Sequence, residues 1–212
     1  MKRRRPGLRL EAGHPAPVAG VDEAGRGPFA GPVCAAAVIL TGNARLQGVD
    51  DSKRLSSEQR AAAEGLIKRR ALAWSVAFAS VEEIAAVNIL AATGLAMRRA
   101  VEGLALAPAF VLIDGDYLFD LPCKAATVVG GDGLSLSIAA ASILAKTARD
   151  RLMVAMDEAY PGYGFAAHKG YGVPAHIAAL KALGPCPIHR TCWQAVRVAA
   201  QGGLELDPPD QA

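Results

Sequence analysis

Val18-Ala19-Gly20-Val21-Asp22-Glu23-Ala24-Gly25-Arg26-Gly27-Pro28-Phe29-Ala30-Gly31-Pro32-Val33 is an apolar run that ends in two adjacent carboxylates and enters a turn holding three glycines and two prolines. A strand that delivers Asp22 and Glu23 to a sheet edge makes a hard, oxygen-rich site of the kind that attracts Mg²⁺ or Mn²⁺. Beside it, the Gly25-Arg26-Gly27 turn frees backbone amides and one guanidinium to approach a phosphate or a sugar. The apolar runs on either side, at about 17–22 and 33–40, read as two strands of a hairpin joined by this turn.

Working outward, further apolar runs near 71–79, 109–114 and 125–130 read as strands. Helical patterns occupy 56–70, opened by Ser56 or Ser57, and 81–105, where Gly94 and Gly103 weaken the pattern and Pro108 closes it. The Ala-, Leu- and Ile-dense stretch from about 134 to Tyr160 predicts a helix buried against a sheet, stopped by Pro161-Gly162. Strands mixed with helices, then a helical tail, describe an α/β domain with a small C-terminal helical extension. The expected division is a loose basic tail over 1–16, a main domain over 17–160, a helical segment over 161–201 and a loose tail over 202–212.

At 212 residues the chain buries roughly 70% of its unfolded surface without disulfide support. Its 52% hydrophobic and 20% charged residues suit a folded protein, and no stretch reaches the roughly 18 uninterrupted apolar residues of a membrane span. Met1 to Arg5 is basic but lacks the apolar stretch of a secretory signal, so the expected location is cytoplasmic, with no membrane partner. A net charge of +3 leans only weakly toward an anionic partner. Cys34, Cys123, Cys186 and Cys192 show no paired spacing and read as reduced thiols; Cys186 and Cys192 bracket His189 without the fourth ligand and spacing of a zinc site.

Asp22, Glu23, Asp114 and Asp132 each lie at the end of an expected strand or at the turn leaving it, where α/β sheets gather functional groups. Brought together, four acids repel by several kcal/mol at an effective dielectric near 20, so protons or divalent cations must offset them. Paired metal ions about 4 Å apart satisfy such a cluster and suit in-line displacement at phosphorus. Each acid alone also reads as a solvated turn former. Asp116, two residues after Asp114, leaves that assignment open by spacing, and Asp132 also suits capping of the helix it precedes.

Ser142, Lys146 and Arg149 form a polar stripe on the long helix that suits phosphate binding, or a solvated face with Lys146 paired to Asp150. Val49-Asp50-Asp51-Ser52-Lys53 reads as a turn first and as a phosphate contact through Lys53 second. In Gly164-Phe-Ala-Ala-His-Lys-Gly-Tyr-Gly172, the aromatic Tyr171 near Lys169 suits sugar or base stacking with phosphate neutralisation, or a plug at the domain junction.

Taken in order, Gly-Val-Asp-Glu-Ala-Gly-Arg-Gly-Pro at 20–28, Asp-Ser-Lys at 51–53, Ile-Asp-Gly at 113–115, Gly-Asp at 131–132, Ser-Ile-Ala-Ala-Ala-Ser-Ile-Leu-Ala-Lys at 137–146 and His-Lys-Gly-Tyr-Gly at 168–172 resemble the bacterial ribonuclease HII family. The resemblance implies an RNase H-like mixed five-stranded sheet flanked by helices, with the C-terminal segment walling the substrate groove. It implies a monomeric endoribonuclease that cuts the RNA strand of RNA–DNA hybrids and incises duplex DNA 5′ of a single embedded ribonucleotide, opening ribonucleotide excision repair. Its metal-binding acids fall on Asp22, Glu23, Asp114 and Asp132. Gly25, Arg26 and Gly27 fall where the family contacts the ribose 2′-hydroxyl and flanking phosphates, Tyr171 where it stacks on the adjoining deoxyribose, and Lys53 where it meets a phosphate. Asp116, Gly130 and the stretch His189-Arg190-Thr-Cys-Trp-Gln-Ala-Val depart from the usual family pattern. The rival reading is a hybrid-binding module that does not cut.

Overall fold

The computed structural model describes residues 5–50 and 52–202. The strands are β1 (Val18–Ala24), β2 (Val33–Ile39), β3 (Ala73–Ala79), β4 (Phe110–Asp114) and β5 (Lys124–Val128). They form one mixed sheet in the order β3-β2-β1-β4-β5. β1 pairs antiparallel with β2 and parallel with β4, with Asp22 opposite Ala36 and Val21 opposite Ile113. β3 and β5 flank that core, antiparallel to β2 and parallel to β4 respectively.

The helices are α1 (Ser57–Arg70), α2 (Val81–Glu102), α3 (Leu136–Ala159), α4 (Phe165–His168), α5 (Pro174–Leu183) and α6 (Gln194–Ala200). The period of two along the strands divides the core. Ala19 and Val21 of β1, with Val33, Ala35, Ala37 and Ile39 of β2, face α2. Cys34, Ala36 and Val38 face α1 and α3. So many alanines let α3 come close to the sheet. At Gly20 a β-carbon would stand only 2.2 Å from the carbonyl carbon of Ser137, so a side chain there would force α3 off the strand that carries Asp22.

Ser56 and Ser80 each form reciprocal capping boxes, with Gln59 and Glu83 respectively, which fixes where α1 and α2 begin. Gly94, which weakens the helical pattern in the sequence, lies within regular helix, and the break in α2 comes at Asn88, whose φ is 73°. The Asn88 side-chain oxygen accepts from the Leu90 and Ala91 N–H groups, capping the second half of the helix. Gly94 serves packing, since a β-carbon there would meet the Phe119 ring at 2.7 Å. α2 has the length and apolarity of a membrane span, yet Ile84, Ala92, Ala96, Met97, Ala100 and Val101 are buried in the core of this fold.

The N-terminal segment is not loose over its described part, which corrects the expectation for 1–16. The Gly7 N–H donates to Leu134 O, the Leu136 N–H donates to Gly7 O, and His14 stacks on Phe110 at 3.9 Å. The Glu11 carboxylate accepts from the Ser135 and Ser137 hydroxyls and the Ser137 N–H, so it caps the start of α3 from 126 residues away. Of the expected C-terminal tail, 203–212 lies outside the described residues.

α4, α5 and α6 build a third cluster, in which Phe165, Ile177, Leu180, Val196 and Ala199 pack with Met153 of α3 and Ala30 of the glycine-rich turn. The expected helical extension is therefore docked beside the carboxylate end of β1.

Candidate active site

Asp22 and Glu23 end β1, and Asp114 ends the adjacent parallel strand β4. Parallel pairing puts both ends at the same sheet edge, so carboxylates 92 residues apart in sequence become neighbours. Asp132 sits in a 3-10 turn, Gly131–Gly133, between β5 and α3. That turn wraps onto Asp114, whose Oδ1 accepts from the Gly131 N–H at 2.7 Å and the Asp132 N–H at 3.4 Å. Asp116 is exposed in the loop beyond.

Asp22 is 5% exposed. Burial first, then the charges of Glu23 and Asp114, hold its carboxyl well above the usual carboxylate range. The Ser142 hydroxyl and the Glu23 N–H, which donates to Asp22 Oδ1 at 2.7 Å, pull in the other direction. Ser142 is itself buried and hydrogen-bonded to Ser52 at 2.8 Å, which joins the loop before α1 to the carboxylate.

Among the described residues no three His, Cys, Asp or Glu side chains stand together as a ready-made metal cage. The fit to a metal rests instead on donor chemistry: all oxygen and carboxylate-rich, with Asp22 desolvated and repelled by Glu23 and Asp114, which matches a hard divalent cation and no soft one. Asp22, Glu23 and Asp114 supply such oxygens at the ends of β1 and β4, and Asp132 supplies one from the turn that wraps onto Asp114.

The remaining expected residues divide. Tyr171 is 43% exposed and lies against the turn, with a β-carbon built at Gly27 standing 3.8 Å from its Cε1. Arg26 is exposed and pairs with Glu23 at 3.5 Å. Lys146 pairs with Asp150 at 2.7 Å. The Lys53 side chain, with Asp51, lies outside the described residues.

Arg149 corrects the expected phosphate-binding stripe. It is 1% exposed and donates to Pro32 O, Ala30 O and Lys169 O, leaving no face for substrate. Gly25, at φ +95°, has a second reason to be glycine, because a β-carbon there would fall 1.9 Å from Arg149 Nε.

Two features were missed by sequence reasoning. Arg190, fully buried, donates to the carbonyls of Gly25, Arg26 and Gly31. Its only signal was a place in the divergent stretch at 189–196. The second is a histidine relay beneath Tyr171. The Cys186 N–H donates to His189 Nδ1 at 2.9 Å, so His189 carries its proton on Nε2 and donates to His176 Nε2 at 3.0 Å. His176 Nδ1 then donates to Tyr171 O at 2.9 Å. Burial drives His176 down to about 4 and lowers His189 as well, so both rings are neutral near pH 7. This explains Cys186 beside His189 without zinc: the pair serves the relay, and Cys192 is a free, exposed thiol.

A family model for Ribonuclease HII matches residues 19–196. A ribonuclease HII from Caulobacter vibrioides is 61% identical over 192 residues, covering 91% of this chain and 90% of that protein. Among solved structures, ribonuclease H2 from Pyrococcus horikoshii OT3 superposes with a TM-score of 0.73 at 26% identity, covering 88% of this chain and 98% of its own. A Bst RNase HIII solved in complex with Mn²⁺ superposes with a TM-score of 0.66 at 17% identity, covering 88% and 70%, a likeness of fold alone. The five-stranded mixed sheet with its flanking helices thus defines a ribonuclease H-like hydrolase. Within that class the chain belongs to the ribonuclease HII family, which makes it a hydrolytic endoribonuclease of RNA–DNA hybrids that depends on a divalent metal.

Proposed function

We propose that this chain cuts the RNA strand of RNA–DNA hybrids and also incises duplex DNA on the 5′ side of a single embedded ribonucleotide, leaving a 3′-hydroxyl and a 5′-phosphate, the opening step of ribonucleotide excision repair. The observation that carries the reading is the juxtaposition of a desolvated, like-charged carboxylate, Asp22, with a turn and an exposed aromatic, Gly25-Arg26-Gly27 and Tyr171, on one edge of the sheet. Acids alone would suit any phosphodiester; a backbone-lined turn beside an aromatic suits a sugar whose 2′-oxygen is read at close range.

Asp22 and Glu23, with Asp114 and Asp132, would hold Mg²⁺ or Mn²⁺, and a paired divalent site supplies an acidified attacking water and neutralises the departing 3′-oxygen. The protein's own groups do the rest. Ser142 keeps Asp22 ionisable by stabilising its charged form. The Gly131 and Asp132 amides fix the rotamer of Asp114 by holding one carboxylate oxygen and leaving the other for ligation. Arg26, held by Glu23 at the groove, offers its guanidinium to a flanking phosphate. Tyr171, with its carbonyl fixed by His176, presents a ring face to the sugar on the 3′ side of the ribonucleotide. The acids come from one chain, so a monomer completes the site.

The test is a labelled duplex carrying one ribonucleotide, incubated with the protein in Mg²⁺, Mn²⁺ or chelator, beside an all-DNA control. Incision 5′ of the ribose that needs metal and spares all-DNA is expected. Cleavage of both duplexes alike, or of neither in the presence of metal, would reject the single-ribonucleotide reading.

A further inference from the structure

The carbonyls of the glycine-rich turn converge inward on two buried guanidinium groups. Arg190 donates from Nη2 to Gly25 O at 2.6 Å and Gly31 O at 2.8 Å, from Nη1 to Arg26 O at 2.7 Å, and from Nε to Gly31 O at 3.0 Å. Arg149 takes the next carbonyls along, Ala30 O at 3.1 Å and Pro32 O at 3.0 Å, and reaches across to Lys169 O at 3.0 Å. Among the described residues neither arginine forms an ion pair, although each is almost fully removed from water. A buried cation with only backbone carbonyls for partners is costly, so the backbone path it enforces is where a benefit should be sought.

That path has a direct geometric consequence. A trans peptide unit is planar, and its C=O and the next residue's N–H point in opposite directions. Both bonds concerned are trans, the one cis bond among the described residues being Ala16-Pro17. With the oxygens of Gly25 and Arg26 drawn down onto Arg190, the N–H groups of Arg26 and Gly27 face away from it. No acceptor among the described residues takes either. The next residue is Pro28, which has no N–H, so the outward donors are limited to this pair. Phe29, Ala30 and Gly31 are already used, donating to Gly170 O and Ile188 O.

We infer that Arg190 is a positioning residue for ribose recognition: by holding three carbonyls on its planar fork it sets the Arg26 and Gly27 amides as a fixed, outward-facing donor pair for the 2′-hydroxyl and adjoining phosphate oxygens. This rests on the single-ribonucleotide reading above and adds to it the element that makes a flexible Gly-Arg-Gly turn rigid before substrate arrives. Rigidity matters because a donor pair already oriented loses no conformational freedom on binding. Only arginine suits the task. Its planar fork presents three nitrogens to three oxygens, and its carbon Cζ stacks 4.9 Å from the Trp193 ring. Lysine would keep the charge and lose the plane.

The experiment compares dissociation constants for a duplex with one ribonucleotide and for the same duplex in all-DNA form, with Ca²⁺ replacing Mg²⁺ and the strands checked to be intact. Arg190→Lys is expected to lose about tenfold of the wild-type preference for the ribose, the value of one or two amide hydrogen bonds. Val196→Ala, a cavity in the same C-terminal cluster that leaves every hydrogen bond to the turn in place, serves as the control for instability and should leave the ratio unchanged. Because Arg190→Lys can fail to fold, amide hydrogen exchange on the wild-type protein gives a second reading. The Arg26 and Gly27 amides should exchange freely in the free protein and become protected on the ribonucleotide duplex but not on all-DNA. A folded Arg190→Lys protein with an unchanged ratio, or amides protected before substrate binds, overturns the role of Arg190 and leaves the proposed function standing. A wild-type protein with no ribose preference overturns the proposed function itself, and the ligand assigned here falls with it.

Discussion

Replacing Asp22 with Asn should stabilise the metal-free protein while abolishing its activity. The carboxyl is buried and faces two like charges, so its ionised form is the strained one. Neighbouring carboxylates repel by roughly 2–4 kcal/mol at an effective dielectric of about 20, before any desolvation cost is added. Asn keeps the oxygen that accepts the Glu23 N–H and nearly the same volume, so little packing is lost. The folded-state pKa of Asp22 lies above its unfolded value. The stability it contributes is therefore fully present below about pH 4 and is lost as pH rises through the folded value. The advantage of Asp22→Asn should accordingly be absent near pH 4 and grow toward neutrality. In chelator at pH 8 it should reach about 2 kcal/mol, or roughly 5 °C in Tm for a chain of this length. Differential scanning calorimetry in chelator measures it, and adding Mg²⁺ should raise Tm of the wild type well above that of the variant, by linkage to metal binding. An Asp22→Asn protein no more stable than wild type at pH 8 in chelator would show that Asp22 is not under like-charge strain, and the electrostatic argument for a metal at this site would fail.

Ser142→Ala removes the hydroxyl that favours ionised Asp22, so the acidic limb of the pH–rate profile should move to higher pH while the alkaline limb stays in place; an unmoved limb refutes the coupling. Arg149→Met leaves three buried carbonyls, on Ala30, Pro32 and Lys169, without donors and should cost about 3 kcal/mol in urea denaturation, where a solvated phosphate-binding arginine would cost almost nothing. His176 has a folded-state pKa of about 4, below its unfolded 6.5, so the unfolded chain binds the extra proton between those values. Stability should therefore climb by about 3 kcal/mol from pH 4 to pH 6.5 and level off above. His176→Asn, which keeps a donor for Tyr171 O, should flatten that rise in equilibrium unfolding measured across the window, and an equally steep profile in the variant argues against the relay.

Much of this protein was legible along the chain because the signals are local. The apolar runs of β1 and β2, the Ser-initiated start of α1 and the Pro161-Gly162 stop each act over a few residues, so the strands, helices and approximate bounds follow from spacing. The acids at strand ends follow too, since a parallel β1–β4 pair brings Asp22 and Asp114 to one edge once both are strands. Asn88 was overlooked because an asparagine inside an apolar helical pattern carries no breaking signal, whereas its αL-side φ and the cap it forms depend on the finished helix.

What the sequence by itself determined was the order of elements, the burial of the long helix against a sheet and the placing of acids at strand ends. Only the tertiary structure decided how polar groups are spent. Arg149 and Lys146 share one helix and three residues of spacing, yet one is buried on carbonyls 117 and 119 positions away while the other pairs with its neighbour Asp150. Arg190 meets Gly25 across 165 positions, and Glu11 meets Ser137 across 126. No periodicity records such contacts. They arise because every buried donor and acceptor must find a partner once the chain has closed around it, and which partner is nearest is a property of the packed fold.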